Sequence, residues 1–461
     1  MKLRTLAILS FSLATAVIPR AQTFTSLVSL SDETGAEPSA IGQRANGKLW
    51  VTTFGQGKFD CGTVFETTLA GELSQRLNFS CTDGNEPQGL TLGTDGNYYG
   101  VTFFGGSGNA GTVFKRTPGG ALTVLYEFTL DGSSGSGPVG TLALGPDGNF
   151  YGATYSSSSS NNYNGTLFRV TPSGTLTTLY QFDFTHGSQP YSGLVLGNDG
   201  NFYGLTYGGG AYGGGTFYKL TPQGGFAVVY SFGEFSQDPS LPTAPLVQAA
   251  NGNFYGVVGQ GGANNDGAVF EITPSGNLTV LHNFDGTDGY FPVGLIQATD
   301  GNFYGTTVGV GNQINGSIFQ LTPAGNLTML HKFNGTDGLS PIMLIQDTNG
   351  ALYGVTSGGG HVHCAYNPSY GCGTVFSLDI GLGPFVETVP AVGSVGAPVS
   401  ILGTNLKGVK SVKFNGVAAQ FKTAYSSEIL TTVPVGATTG TVTVTDLDGT
   451  LLSNIPFTVK N

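Results

Sequence analysis

A hexapeptide, Asp-Gly-Asn-Phe-Tyr-Gly or a close variant, begins at Asn46, Asp95, Asp147, Asp199, Asn251, Asp300 and Asn349. The seven copies follow one another at 49 or 52 residues. Self-similarity at a fixed period near fifty marks a repeat architecture and constrains the fold more than any local motif.

The stretch from Pro292 to Phe333 serves as the type unit. A short apolar run, Gly294-Leu295-Ile296-Gln297, stops at Asp300-Gly301, a dipeptide that favours a tight hairpin because both residues tolerate positive φ. Phe303 to Thr307 returns, a glycine-rich loop follows, and Gly316 to Leu321 runs out again. Thr322-Pro323-Ala324-Gly325 turns the chain once more, and Leu327 to Phe333 closes the unit. Four short antiparallel strands per fifty-odd residues is the arithmetic of a β-propeller blade.

The seventh unit lacks a fourth strand after Val375-Phe376-Ser377-Leu378, whereas Phe24 to Leu30 precedes the first complete unit. Lending that amino-terminal strand to the last unit removes two exposed sheet edges. The expected fold is therefore all-β, a seven-bladed β-propeller of four-stranded blades closed by an N-terminal strand. In that geometry the Asp-Gly and Thr-Pro-x-Gly turns share one face. The loops between second and third strands share the other with the blade crossings, and that second face carries nearly all the variation.

At Pro384 the repeat ends. Short runs at Val399–Leu402, Ser411–Phe414, Ile429–Val433, Thr441–Thr445 and Phe457–Val459 suggest a small immunoglobulin-like β-sandwich. The expected organisation is 1–21 signal peptide, 22–382 propeller and 384–461 sandwich.

Lys2 and Arg4 precede an apolar run from Leu6 to Ile18, with small residues at Ala14, Ala16 and Ala21, which reads as a secretory signal. No later stretch is long and apolar enough for a membrane helix. Export to the medium or the cell surface is expected. Four cysteines suit an oxidising compartment, and the expected pairs are Cys61–Cys81 and Cys364–Cys372. A net charge of −11 with only 17 basic residues argues against nucleic acid as partner.

The unit GNFYGxTxxGG…GTxFxxTPxGxLTxLxxF resembles the Gloeo_Verruco (GloVer) tandem repeat of secreted bacterial proteins. That resemblance implies export but no particular activity, and no Pro-Glu-Pro sorting tail is present. The carboxy-terminal segment resembles an IPT/TIG domain through Gly403-Thr404-Asn405-Leu406, Val412 to Gly416 and Val433 to Gly440. Such domains act as spacers or interaction modules.

Candidate ligand-binding residues are aromatic. Phe54, Phe103, Tyr155 and Tyr207 occupy one equivalent position where the variable loop begins, and Tyr163, Tyr191, Tyr212 and Tyr290 lie in loops on that face. Exposed rings there would stack on sugars or an apolar ligand, although aromatics on blade strands more often pack between sheets. For a cation such as calcium the better candidate is Asp285 with Asp288; aspartate capping its own loop is the plainer reading. His361-x-His363-Cys364 superficially suits zinc, but a loop-pinning disulfide explains it as well. No phosphate loop, His-Glu-x-x-His or Gly-x-Ser-x-Gly motif occurs, so no catalytic residue is assigned. The expected role is binding or structural, with an extracellular glycan or protein as partner. The alternative is a carbohydrate-active enzyme (glycosidase or lyase) with its site at the channel mouth.

Overall fold

A computed structural model describes residues 22–130, 134–157, 164–235, 238–311, 315–361, 364–365 and 367–460. The expected signal segment, Tyr163 and His363 lie outside the described residues. Among those described, every regular element is a strand. None is a helix able to cross a membrane.

Residues 23–379 form seven consecutive antiparallel sheets. Each unit runs outward from an inner strand. The inner strands are Ala36–Gln43, Asn85–Leu92, Ser136–Leu144, Val195–Leu196, Ser240–Pro242 with Val247–Gln248, Tyr290–Gln297 and Leu339–Gln346. The fifth unit departs from the expected four strands: Pro245, which has no N–H to donate, sits where its inner strand breaks in two. Second and third strands are buried on both faces, as in Phe254–Gln260 and Ala268–Ile272, because sheets pack against each side of them. Fourth strands such as Leu278–Asn283 are only half-buried.

The last sheet is completed by the chain's start. Thr23–Ser29 pairs antiparallel with Thr374–Asp379, placing Val28 opposite Val375.

Three repeated devices join neighbouring sheets. In six junctions an aromatic ring ending the fourth strand meets one on the next unit's third strand, from Phe79–Phe114 to Phe333–Phe376, at 5.2–5.4 Å between centroids. The seventh junction substitutes Leu30, which shares a core cluster with Phe65. The glycine opening each third strand lies against a proline in the next inner strand or, for Pro190, just ahead of it. A Cβ on Gly62, Gly111, Gly165, Gly215, Gly267, Gly316 or Gly373 would come within 2.4–3.0 Å of that proline's Cδ. The seventh of these contacts runs from Gly373 back to Pro38, so the cycle closes. Glutamines provide the third device. Gln43, Gln248, Gln297 and Gln346 each accept a turn N–H from the preceding unit, and Gln43 bonds Thr348 across the seam.

One buried ion cluster ties the first two sheets. Glu66 receives Arg44 and Arg116, and all three are at most 2% exposed.

Residues 386–460 build two four-stranded sheets that share one apolar core, with Val386, Val399, Ile401 and Ile429 meeting Val412, Phe414, Val442 and Val444. A short parallel ribbon joins Val392–Ser394 to Thr458–Lys460. This module sits on the tight-turn face of the ring. Ser427 donates to the Ala45 carbonyl at 2.6 Å, Thr348 and Thr404 share a hydroxyl bond of 2.8 Å, and the Phe385 amide donates to Thr348 at 3.0 Å.

Candidate functional site

The loop face lies opposite the carboxy-terminal module and is built on seven equivalent positions, the expected mouth. The residue before each of the seven inner-strand prolines is left-handed: Glu37, Glu86, Gly137, Gln189, Leu241, Phe291 and Ser340 have φ between 51° and 62°. A residue before proline ordinarily extends, so a periodic left-handed ring is costly and must be held by tertiary contacts. Those contacts are present. Six of the seven amides donate to the carbonyl that precedes the junction glycine of the neighbouring unit.

Two of the seven positions are acidic, and they are adjacent around the ring. The Glu37 amide donates to Cys372 at 3.1 Å and the Glu86 amide to Cys61 at 3.3 Å. Both acceptors are disulfide-bonded, Cys61 to Cys81 and Cys364 to Cys372, with Cα separations of 5.3 and 5.2 Å. Each bridge thus braces the carbonyl that holds one mouth glutamate. Both pairings match expectation, and a Cys364–Cys372 bridge leaves no thiolate there for zinc. Partial burial pushes both glutamate carboxyls up, and the charge of Glu37 pushes Glu86 further.

Three of the expected aromatic residues form one row through a fourth. Phe103 lies 6.0 Å from Tyr155, Tyr155 lies 6.2 Å from Tyr191, and Tyr191 lies 5.7 Å from Tyr207. Tyr191 is the exposed link, 56% accessible. Phe103, Tyr155 and Tyr207 are half-buried, which is intermediate between the stacking and the packing readings. Phe54 stands apart from the row, in a cleft of about 360 Å³ with Glu37 and Tyr370. Tyr212 is exposed in its own loop, and Tyr290 lies over Gly309.

Asp285 and Asp288 are occupied by their own loop. Asp285 Oδ1 accepts from the amides of Thr287 and Asp288 and from the Thr287 hydroxyl. Asp288 accepts the Asp285 amide and faces His282 at 2.7 Å. The next crossing repeats this arrangement with Asn334 in place of Asp285, and Asp337 facing His331. An amide serves as well as a carboxylate at that position, so closing the loop is sufficient reason for the pair. The Asp-Gly-Asn turns are likewise self-contained: Asp95 accepts from the Asn97 amide and side chain and from the Tyr99 hydroxyl.

Sequence reading did not anticipate the ring of left-handed residues or the pairing of Glu37 with Glu86. Seven recurrent prolines, Pro38 to Pro341, were the available signal, but proline alone predicts extension before it, the opposite of what occurs. Nor did it anticipate a cavity of about 410 Å³ between the ring and the carboxy-terminal module, lined by Trp50, Gln248, Gln346, Glu387 and Asn454 among others.

Two solved structures share this fold at 14% identity. A catalytically inactive virginiamycin B lyase from Staphylococcus aureus, with quinupristin, matches 78% of this chain and 99% of its own at a TM-score of 0.55. A fungal alcohol oxidase of the AA5 family, in complex with copper, matches 96% of this chain and 100% of its own at 0.57. The second alignment extends over the carboxy-terminal module as well as the ring. No curated protein matches the chain. The model of the Gloeobacter/Verrucomicrobia repeat matches residues 13–183 and 155–367. These matches span most of the sequence, and the chain belongs to the Gloeobacter/Verrucomicrobia repeat family.

Proposed function

We propose that the protein is an exported glycan-binding protein, a seven-bladed β-propeller whose loop face takes the ligand and whose tight-turn face is capped by an immunoglobulin-like module of IPT/TIG type. The seven sheets with their cyclic junctions support the blade count, and the two disulfides suit an oxidising environment outside the cytoplasm. One observation carries the binding reading: the row Phe103–Tyr155–Tyr191–Tyr207 lies along the rim that also bears Glu86 and Glu37. Aromatic faces stack on the C–H faces of sugar rings, and carboxyls bond their hydroxyls.

A glycan array on the mature protein, followed by calorimetry on the best ligand, tests this. Tyr191→Ala should weaken binding at least tenfold, whereas Tyr425→Ala on the module should not change it. An empty array, or equal effects of the two substitutions, sinks the reading.

The two coupled carboxyls also support a second reading, a carbohydrate-active enzyme, since glycoside cleavage uses such a pair. Release of reducing ends that Glu86→Gln abolishes would favour it.

A further inference from the structure

On the glycan reading of the loop face, on which this rests, we infer that Phe184 extends the aromatic row and that the ligand is an extended polysaccharide chain, not a single terminal sugar.

Phe184 is a departure from its crossing. The segment Phe182-Asp183-Phe184-Thr185-His186-Gly187 leads from the third unit to the fourth. Its counterparts are Phe284-Asp285-Gly286-Thr287-Asp288-Gly289 and Phe333-Asn334-Gly335-Thr336-Asp337-Gly338. All three close alike, the third residue's amide donating to the last glycine's carbonyl at 3.0–3.1 Å. That third residue is left-handed in each, with φ 69° at Phe184 against 79° at Gly286 and 88° at Gly335. Glycine takes this conformation freely, whereas a bulky side chain there is a costly exception. The first crossing departs too, with Cys81 at φ 63°, but its disulfide gives that departure a purpose.

Phe184 has no such purpose inside the fold. It is 57% exposed and belongs to neither of the apolar clusters beside it. Strain that the scaffold does not use points to function. The backbone ties the residue to the row. The Phe184 carbonyl accepts the Gly210 amide at 2.8 Å, and Ser188 and Gly208 exchange bonds of 2.7 and 3.1 Å. The crossing that bears Phe184 and Tyr191 is thereby stitched to the loop that bears Tyr207 and Tyr212.

Exposed rings continue along the same face. Phe59 stands in the first unit, Phe104 in the second and Phe235 in the crossing to the fifth. Together with Phe184, Tyr191 and Tyr212, these are the exposed aromatic residues of the ring among those described, and all six lie on the loop face. Packed sheets lie about 10 Å apart, so the arc from Phe59 to Phe235 runs roughly 30–40 Å. A single sugar does not reach along such an arc, whereas a polymer does. A protein partner would ask for one contiguous apolar patch. Here the rings stand on separate loops among polar groups, as Phe184 does between the half-exposed Asp183 and His186. Rings set in that way stack on successive sugar faces while their neighbours bond hydroxyls.

The test runs the full mature chain through native gels cast with soluble xylan, mixed-linkage β-glucan or galactomannan. Calorimetry follows with the disaccharide and hexasaccharide of the polymer that retards it. Retardation in at least one gel is expected, with at least tenfold higher affinity for the hexasaccharide than for the disaccharide. Phe184→Gly, which restores the residue of the other crossings, should keep or raise the Tm while lowering hexasaccharide affinity at least tenfold. Retardation lost in Tyr191→Ala but kept in Phe184→Gly overturns the inference and leaves a small-sugar site standing, as does an affinity indifferent to chain length. No retardation in any gel gives the exposed rings to a protein partner and overturns it as well. So does a Tm that falls in Phe184→Gly, because the ring then serves the fold.

Discussion

Ring closure makes a sharp prediction at Gly373. Its φ is +98°, and a Cβ there would lie 2.3 Å from the Thr356 carbonyl oxygen and 2.7 Å from Pro38 Cδ. Gly301, in an Asp-Gly turn, has a similar φ of +81° but nothing within 4 Å. Alanine at either site incurs the left-handed cost of roughly 1–2 kcal/mol. Only at Gly373 is overpacking added, typically about 1–3 kcal/mol. Relief is hard there, because the neighbouring backbone is pinned by Leu30 N–H to Gly373 O at 2.9 Å and Glu37 N–H to Cys372 O. Gly373→Ala should therefore lose roughly 3–4 kcal/mol and Gly301→Ala about half that or less. Trp50, the single tryptophan, is buried in the first unit beside the seam and reports the change through fluorescence in urea. Equal losses in the two variants would refute the reasoning, since the new methyl would then strike neither the Thr356 carbonyl nor Pro38.

Three further outcomes follow from buried groups. Glu66→Gln leaves Arg44 and Arg116 buried without their shared anion and should cost about 3–5 kcal/mol in urea unfolding; a loss under 1 kcal/mol, on the order of a surface pair, would show the cluster to be hydrated. Stability should fall as pH rises from about 4 to about 7. Burial lifts Asp347 to about 6 and Glu387 to about 7, so the folded chain holds protons that the unfolded chain has released. For Glu387, from 4.5 to about 7, this amounts to about 3 kcal/mol, and Glu387→Gln should flatten the profile by that amount. A slope unaffected by Glu387→Gln would place the titration elsewhere. Replacing Cys61 and Cys81 together by serine frees a 20-residue loop and should cost about 3 kcal/mol in thermal or urea unfolding; an unchanged midpoint would mean that the sheet alone holds this loop.

The elements that repeat were legible because each copy repeats one solution to the same packing problem. Strand order, the Asp-Gly turns and the borrowing of Thr23–Ser29 by the last sheet could all be read from spacing. Both disulfides were legible too, since each pair brackets a single hairpin or loop. The mouth was not. Whether Glu37 extends before Pro38 or turns left-handed depends on an acceptor, the Cys372 carbonyl, that lies more than three hundred residues away in sequence and one unit away in space.

In a ring of near-identical units, the shared residues are committed to holding the ring, so they say little about what it binds. The Asp-Gly-Asn turns illustrate this: four of the seven copies carry an aspartate, and each of those carboxylates is consumed by its own asparagine and tyrosine. Departures from the repeat are different, because the scaffold does not need them. Glutamate stands at two of seven mouth positions, cysteine at two of seven junction carbonyls, and aspartate at one of seven turn entries. The two cysteine departures hold the backbone of the two glutamate departures, a coincidence with no structural motive in a ring that closes five other junctions without them. The proposed binding rim would account for both at once. It also yields a contrast: serine at Cys61 and Cys81 should impair ligand binding through Glu86, whereas Glu66→Gln, if it merely softens the first two sheets, should change stability with little change in affinity below the unfolding transition.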